Sequence, residues 1–200
     1  MTPVKLPAEK KRLDAAPPAS LRGSATPAAT HFSPPEALDI MRLLLVTLLL
    51  AVVFVFLTAG PLPPVVAVHF AVGGAANGFM PKANYLRFTM ALLIGLPLLI
   101  VFFSSLTTIL PPRLINLPNR EYWLAPERQA DTLAYLRKHG THFGVILVLF
   151  LCFVHWLVVR ANTHNPPLFP ESLFFIGMAA FLVSLIAWLS GFVAHFRRRP

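Results

Sequence analysis

One cysteine, Cys152, stands in the whole chain, so no intramolecular disulfide and no paired-cysteine zinc motif can form. Charge is scarce as well: Asp, Glu, Lys and Arg make up 12% of the residues, and the eight acids are outnumbered by seventeen bases. The connecting segments hold no Gly-rich phosphate loop, no nucleophile elbow, no His-Glu-x-x-His pair and no close carboxylate pair. No catalytic residue, metal site or cofactor is therefore expected. Within the long apolar runs ionisable side chains are nearly missing, His155 being the exception. Pumps and ion-coupled transporters place such groups at membrane depth, where they are costly and kept for function, so their scarcity argues against a pump.

What is present is grease. Apolar residues account for 56% of the chain and the mean hydropathy is +0.67, which excludes an ordinary soluble domain and points to a bilayer as the solvent. The net charge of +9 could indicate nucleic acid, but the Lys and Arg sit in short connections beside apolar runs, where they orient membrane helices. Nucleic-acid binding is not expected.

Residues 1–38 are rich in Pro, Ala and Ser, with Lys10, Lys11 and Arg12 together and hardly an aliphatic run to bury. Burial cannot offset the entropy of ordering such a segment, so a flexible basic tail is expected. A cleavable signal peptide is not expected, because the first apolar run begins only at Leu43. The transmembrane domain, residues 39–196, contains four runs near the ~20 residues that cross the hydrocarbon at about 1.5 Å each. They cover about Ile40 to Ala59, Phe88 to Leu110, Phe143 to Val159 and Leu173 to Ala194. Gly60-Pro61, Pro63-Pro64, Pro111-Pro112 and Asn165-Pro166-Pro167 separate them, and proline pairs at helix exits are strong stops.

The bases give the orientation. Fourteen of the seventeen fall in the tail with Arg42, the connection from Pro111 to His142 and the C-terminal Arg197 to Arg199; only Lys82, Arg87 and Arg160 fall on the other side. The positive-inside rule then places both termini in the cytoplasm of a multi-pass inner-membrane protein. The expected fold is an all-α four-helix transmembrane bundle, N-in and C-in, with a short ordered cap in the outer connection from Gly60 to Arg87. In that cap Val66, Val68 and Phe70 alternate, and Gly73-Gly74 and Asn77-Gly78 supply turns.

His69 is the most suggestive polar residue of the cap, since an imidazole can ligate a metal or titrate near neutrality; the plainer reading is a hydrogen bond that holds the cap. A metal version would need His69, His155, His164 and Glu171 to converge. In the cytoplasmic connection, Pro126 to Gly140 reads as a short surface helix, with acids early, bases late and a terminal Gly. Tyr122 and Trp123 read as interfacial anchors on its approach. Gly95 and Pro97 predict a kink in the second helix that could line a cavity. On the fourth, Gly177, Ala180, Ser184, Ala187, Gly191 and Ala194 form a stripe of small residues, read as the internal packing seam with a homodimer interface as the competing use.

Two loop motifs carry a resemblance. Leu62-Pro63 through His69-Phe70, with Gly74 and Lys82, followed by Asn116-Leu117-Pro118-Asn119-Arg120-Glu121-Tyr122-Trp123, resemble the bacterial membrane domain of unknown function found in SdpI-type immunity proteins, over about Leu43 to Ala194. Ala67 and Phe79 stand where that family usually has proline and tryptophan, and the extra helices of its larger members are missing. The resemblance implies fold and location, and a role such as protection from a secreted peptide toxin with signalling to a cytoplasmic regulator. Its candidate residues here are Pro63, His69, Phe70, Gly74 and Lys82 outside, and Asn116, Pro118, Asn119, Tyr122 and Trp123 inside. The leading expectation is a non-enzymatic protein that recognises a peptide or protein partner at the membrane; the alternative is a small transporter or channel subunit.

Overall fold

The computed structural model of the chain describes residues 34–107 and 109–197. Of the tail expected over residues 1–38, residues 1–33 lie outside them, as do Arg198 and Arg199. The described part is mostly helical, and four of its helices are long and apolar enough to cross a membrane: α1 (Pro34–Thr58), α2 (Lys82–Leu106), α4 (Gln129–Ala161) and α5 (Glu171–Arg197). An antiparallel hairpin, β1 (Val65–Phe70) and β2 (Ala76–Pro81), joins α1 to α2, and a short α3 (Arg120–Trp123) precedes α4.

The helices begin and end differently from the apolar runs, because a helix is not confined to its greasy part. Residues 34–38, read as the end of the tail, belong to α1, whose first residue is proline; the missing N–H of proline costs nothing in a first turn. Helix α2 starts at Lys82, six residues before the apolar run, and ends at Leu106. The larger correction concerns α4. The surface helix expected to end at Gly140 and the span expected from Phe143 form one continuous helix of 33 residues, about 50 Å long at 1.5 Å per residue. Gly140 is no terminator. It is buried inside the helix where α2 passes, and a Cβ there would collide with the Ser104 side chain.

Helix α4 is the hub, packing against α1, α2 and α5. One core lies between α1, α2 and α4, where Leu44, Leu48, Ala51 and Val55, spaced by three and four, meet Leu93 and Val148. Pro97 does not open a cavity: it is fully buried, and with Leu44 it closes over Gly144 of α4. The α4–α5 seam is aromatic. Phe150 stacks on Phe181 at 4.3 Å, His139 on Trp188 at 4.4 Å and Tyr135 on His195 at 3.7 Å. Of the small-residue stripe only Gly177 faces this seam, under the ring of Phe153; Ala180, Ser184, Ala187, Gly191 and Ala194 are exposed. The expected packing seam is thus on the wrong face, because wide rings spaced along Phe174, Phe181, Trp188 and Phe192 bury more contact than small residues would. Away from these seams the surface is apolar all round, with Leu49, Leu57, Phe102, Ile176 and Val183 exposed, as lipid contact requires and water does not favour.

Candidate functional site

The hairpin, the C-terminal ends of α1 and α4 and the N-terminal ends of α2 and α5 share one end of the molecule. An apolar cluster of Ala59, Leu62, Val66, Tyr85, Val158 and Val159 packs the hairpin against α1, α2 and α4, and polar contacts fix their register. The Asn162 side chain at the end of α4 accepts from the Ala67 N–H at 2.8 Å and donates to the Ala67 carbonyl at 2.9 Å, pairing with β1 as another strand would. Lys82 donates to the carbonyls of Gly60 and Leu62 at 3.3 and 3.1 Å, placing a cation on the exit of α1. At the turn, Glu171 accepts from the Gly73 N–H at 2.9 Å, Ala75 bridges Leu168, and Phe70 stacks on Phe169 at 4.9 Å. Gly74 has φ +81°, and a Cβ on it would meet the Phe169 carbonyl at 2.6 Å, so conformation and space both demand glycine there.

The connection expected to be ordered forms a hairpin, and three of its five singled-out residues hold it in place. Phe70, Gly74 and Lys82 fasten it, and His69 stands exposed on β1. Pro63 lies in the half-buried link between α1 and β1. The Asn77-Gly78 pair is not a turn: it lies inside β2, where Gly78 faces His69 and an added Cβ would approach His69 Cβ to 2.8 Å.

Beneath the hairpin, between α2 and α4, lies a cavity of about 280 Å³ lined by Val68, His69, Met80, Tyr85, Phe88, Thr89, Leu92, Leu151, Val154, His155 and Val158. On its wall three helices share one hydrogen-bond chain. Thr58 of α1 donates its single proton to the Phe54 carbonyl at 2.7 Å, so its oxygen receives His155 Nε2–H at 3.0 Å. That tautomer leaves Nδ1 as an acceptor, and Tyr85 Oη donates to it at 2.8 Å. Every donor points the same way, from α2 through α4 to the backbone of α1. His155 is therefore fully occupied, Glu171 holds the turn, and among the described residues no three His, Cys, Asp or Glu side chains come within range of one ion.

The second motif is at the far end of α4. A pocket of about 510 Å³ is lined by Ile115, Asn116, Leu117, Asn119, Arg120, Glu121 and Tyr122. Pro118 is exposed beside it, and Asn119 takes a left-handed conformation (φ 52°) that starts α3. Tyr122 lies under the Arg128 guanidinium, 3.9 Å from ring centre to charge. Trp123 donates to the Phe196 carbonyl at 3.2 Å, stacks on His195 at 5.1 Å, and its own carbonyl accepts from Thr132 at 2.7 Å. It clips α3 to α4 and α5. The two motifs thus occupy opposite ends of the molecule and do not converge.

Sequence reasoning missed Asn162, Tyr85 as a hydrogen-bond partner and Thr58. Tyr85 carries a signal, a phenol near the expected start of a membrane helix; an Asn before a proline-rich turn carries none. Compared with protein families, curated proteins and solved structures, the chain matches none of them.

Proposed function

We propose that the chain is a multi-pass inner-membrane protein with both termini in the cytoplasm, and that its hairpin end recognises a peptide or protein partner outside the cell in the manner of an immunity protein. The orientation is supported by charge. The hairpin end holds Lys82, Arg87 and Arg160 among the bases, and Lys82 is spent on α1; Arg42, Arg113, Arg120, Arg128, Arg137, Lys138 and Arg197 gather at the other end. The observation that carries the recognition reading is the pairing of a hairpin fastened at both edges of its turn with an apolar cavity at its base and an exposed imidazole at the rim. Binding sites are largely preformed, mostly apolar and marked by few polar groups, and this one fits. No chemistry on the partner is proposed, since His155, the buried imidazole at this end among the described residues, has both nitrogens engaged. The Asn116 to Trp123 pocket is the surface for a cytoplasmic regulator.

The test is survival of cells with and without the chain under challenge by a panel of secreted peptide toxins. Wild type protects against at least one, His69→Ala at matched membrane abundance loses most of that protection, and Trp123→Ala keeps binding outside while losing any cytoplasmic report. Absence of protection against every peptide would overturn the reading.

A further inference from the structure

The cavity beneath the hairpin is a slot between two helices. Tyr85, Thr89 and Leu92 of α2 line one wall and Leu151, His155 and Val158 of α4 the other; both triplets follow the i, i+4, i+7 spacing that puts residues on one helix face. Seven residues of rise make it about 10 Å deep. Val68, His69 and Met80 roof it, and among the described residues none of α1 or α5 lines it. Three of the wall residues are polar, yet none offers a side-chain proton to the slot. Tyr85 donates to His155 Nδ1, His155 Nε2–H donates to Thr58, and the Thr89 hydroxyl bonds back to the Tyr85 oxygen. No charged side chain lines the slot among the described residues. Nearby, Lys82 is held by the carbonyls at the exit of α1, and Arg160 lies over Trp156. At the mouth Phe88 is 58% exposed, Val154 is half-buried, and Leu92, Leu151 and Val158 fall inside the apolar runs.

We infer that the slot holds the hydrocarbon chain of a membrane lipid from the leaflet next to the hairpin, entering sideways past Phe88 and selected by its chain and not by its headgroup. The inference stands apart from the recognition reading and needs only that α2 and α4 lie in a bilayer. Water is a poor occupant, because a buried water needs two to four polar partners and below His69 every side-chain donor is already spent. An empty slot would leave its lining atoms without dispersion partners on one side. An apolar cavity of about 150 Å³ already stays dry and takes a small hydrocarbon, and this one measures about 280 Å³. Peptide backbone would bury N–H and carbonyl groups with nothing to bond, which is costly. An alkyl chain gives up no hydrogen bond. It leaves loosely packed hydrocarbon for close contact with fixed walls, the force that drives association within lipid. With no cation in the lining, nothing distinguishes an anionic headgroup from a zwitterionic one. A partner that seats against Leu151 and Val154 does so by displacing this chain.

The experiment uses full-length protein in phosphatidylcholine nanodiscs doped with a phosphatidylcholine that carries a diazirine midway along one acyl chain. After irradiation the labelled residues are mapped by mass spectrometry. A seated chain labels the segments holding Leu92 and Leu151 more heavily than Ile176 and Val183, which are exposed on the apolar surface of α5. Slot labelling no greater than theirs overturns the inference, because passing contact with surrounding lipid then accounts for all of it. Val154→Phe fills the slot without touching the hydrogen-bond chain and loses most of the slot labelling. Leu149→Phe, on an exposed part of α4 outside the slot, keeps it. If Val154→Phe does not fold, Leu92→Phe on the opposite wall carries the same comparison. Equal slot labelling in the filled and control proteins also overturns the inference. Exchanging the probe's headgroup for phosphatidylglycerol leaves the labelling unchanged, and a strong preference for the anionic probe overturns selection by the chain.

Discussion

Asn162 decides more of the hairpin end than His69, the residue the sequence made conspicuous. Its two bonds satisfy the N–H and carbonyl of Ala67, which is fully buried. Asn162→Ala would leave both without partners, and each buried orphan costs about 1–3 kcal/mol. The expected outcome is a loss of about 2 kcal/mol in reversible unfolding in detergent, with faster hydrogen exchange at Ala67; a change under about 0.5 kcal/mol would mean water replaces the amide freely. Tyr85→Phe removes the donor to His155 Nδ1 and leaves an unpaired acceptor in a buried place, at about 1–2 kcal/mol. Tyr85→Phe with His155→Phe should then be milder than the sum of the two single changes, because the second removes the orphan. Strict additivity would contradict the chain of donors. These pairings were not legible in the sequence. Asn162 and Ala67 are 95 residues apart, and an Asn ahead of prolines looks like any other turn residue.

The elements were legible in kind and less so in extent. Apolar runs found the four long helices, and the alternation of Val66, Val68 and Phe70 found β1, since each pattern is set locally by burial. What failed was punctuation. Gly140 resembles a C-cap, but it is needed for space against Ser104, and a glycine demanded by a neighbour cannot be told from one demanded by φ. Gly140→Ala should accordingly destabilise the protein by about 1–3 kcal/mol through overpacking, and Ser104→Gly in the same chain should restore much of it. A Gly140→Ala protein more stable than wild type would show that helix propensity outweighs the clash. The small residues of α5 failed for a related reason: spacing reveals that six residues share a face and not which way the face points. Ala187→Leu, on the outward side, is expected to change stability by less than about 0.5 kcal/mol. Phe181→Ala, on the ring seam with Phe150, is expected to cost about 3 kcal/mol. The reverse order would return the small residues to the core.

At the scale of the whole molecule, one rigid element joins two separate sites. Helix α4 contributes His155 and, at its C-terminal end, Asn162 to the hairpin end and, about 35–45 Å of helix length away, Thr132 to the clip on Trp123. A partner seated against Leu151, Val154 and His155 presses on the same rod that holds the Asn116 to Trp123 segment. The proposed reception outside and report inside requires the two ends to lie on opposite sides of the membrane. Single cysteines in a Cys152→Ser background test this directly. Val72 is fully exposed at the hairpin turn, and Glu121 is exposed at the other end. A membrane-impermeant maleimide should label Val72→Cys in intact cells and Glu121→Cys only after the membrane is opened; labelling of Glu121→Cys alone in intact cells would contradict the account.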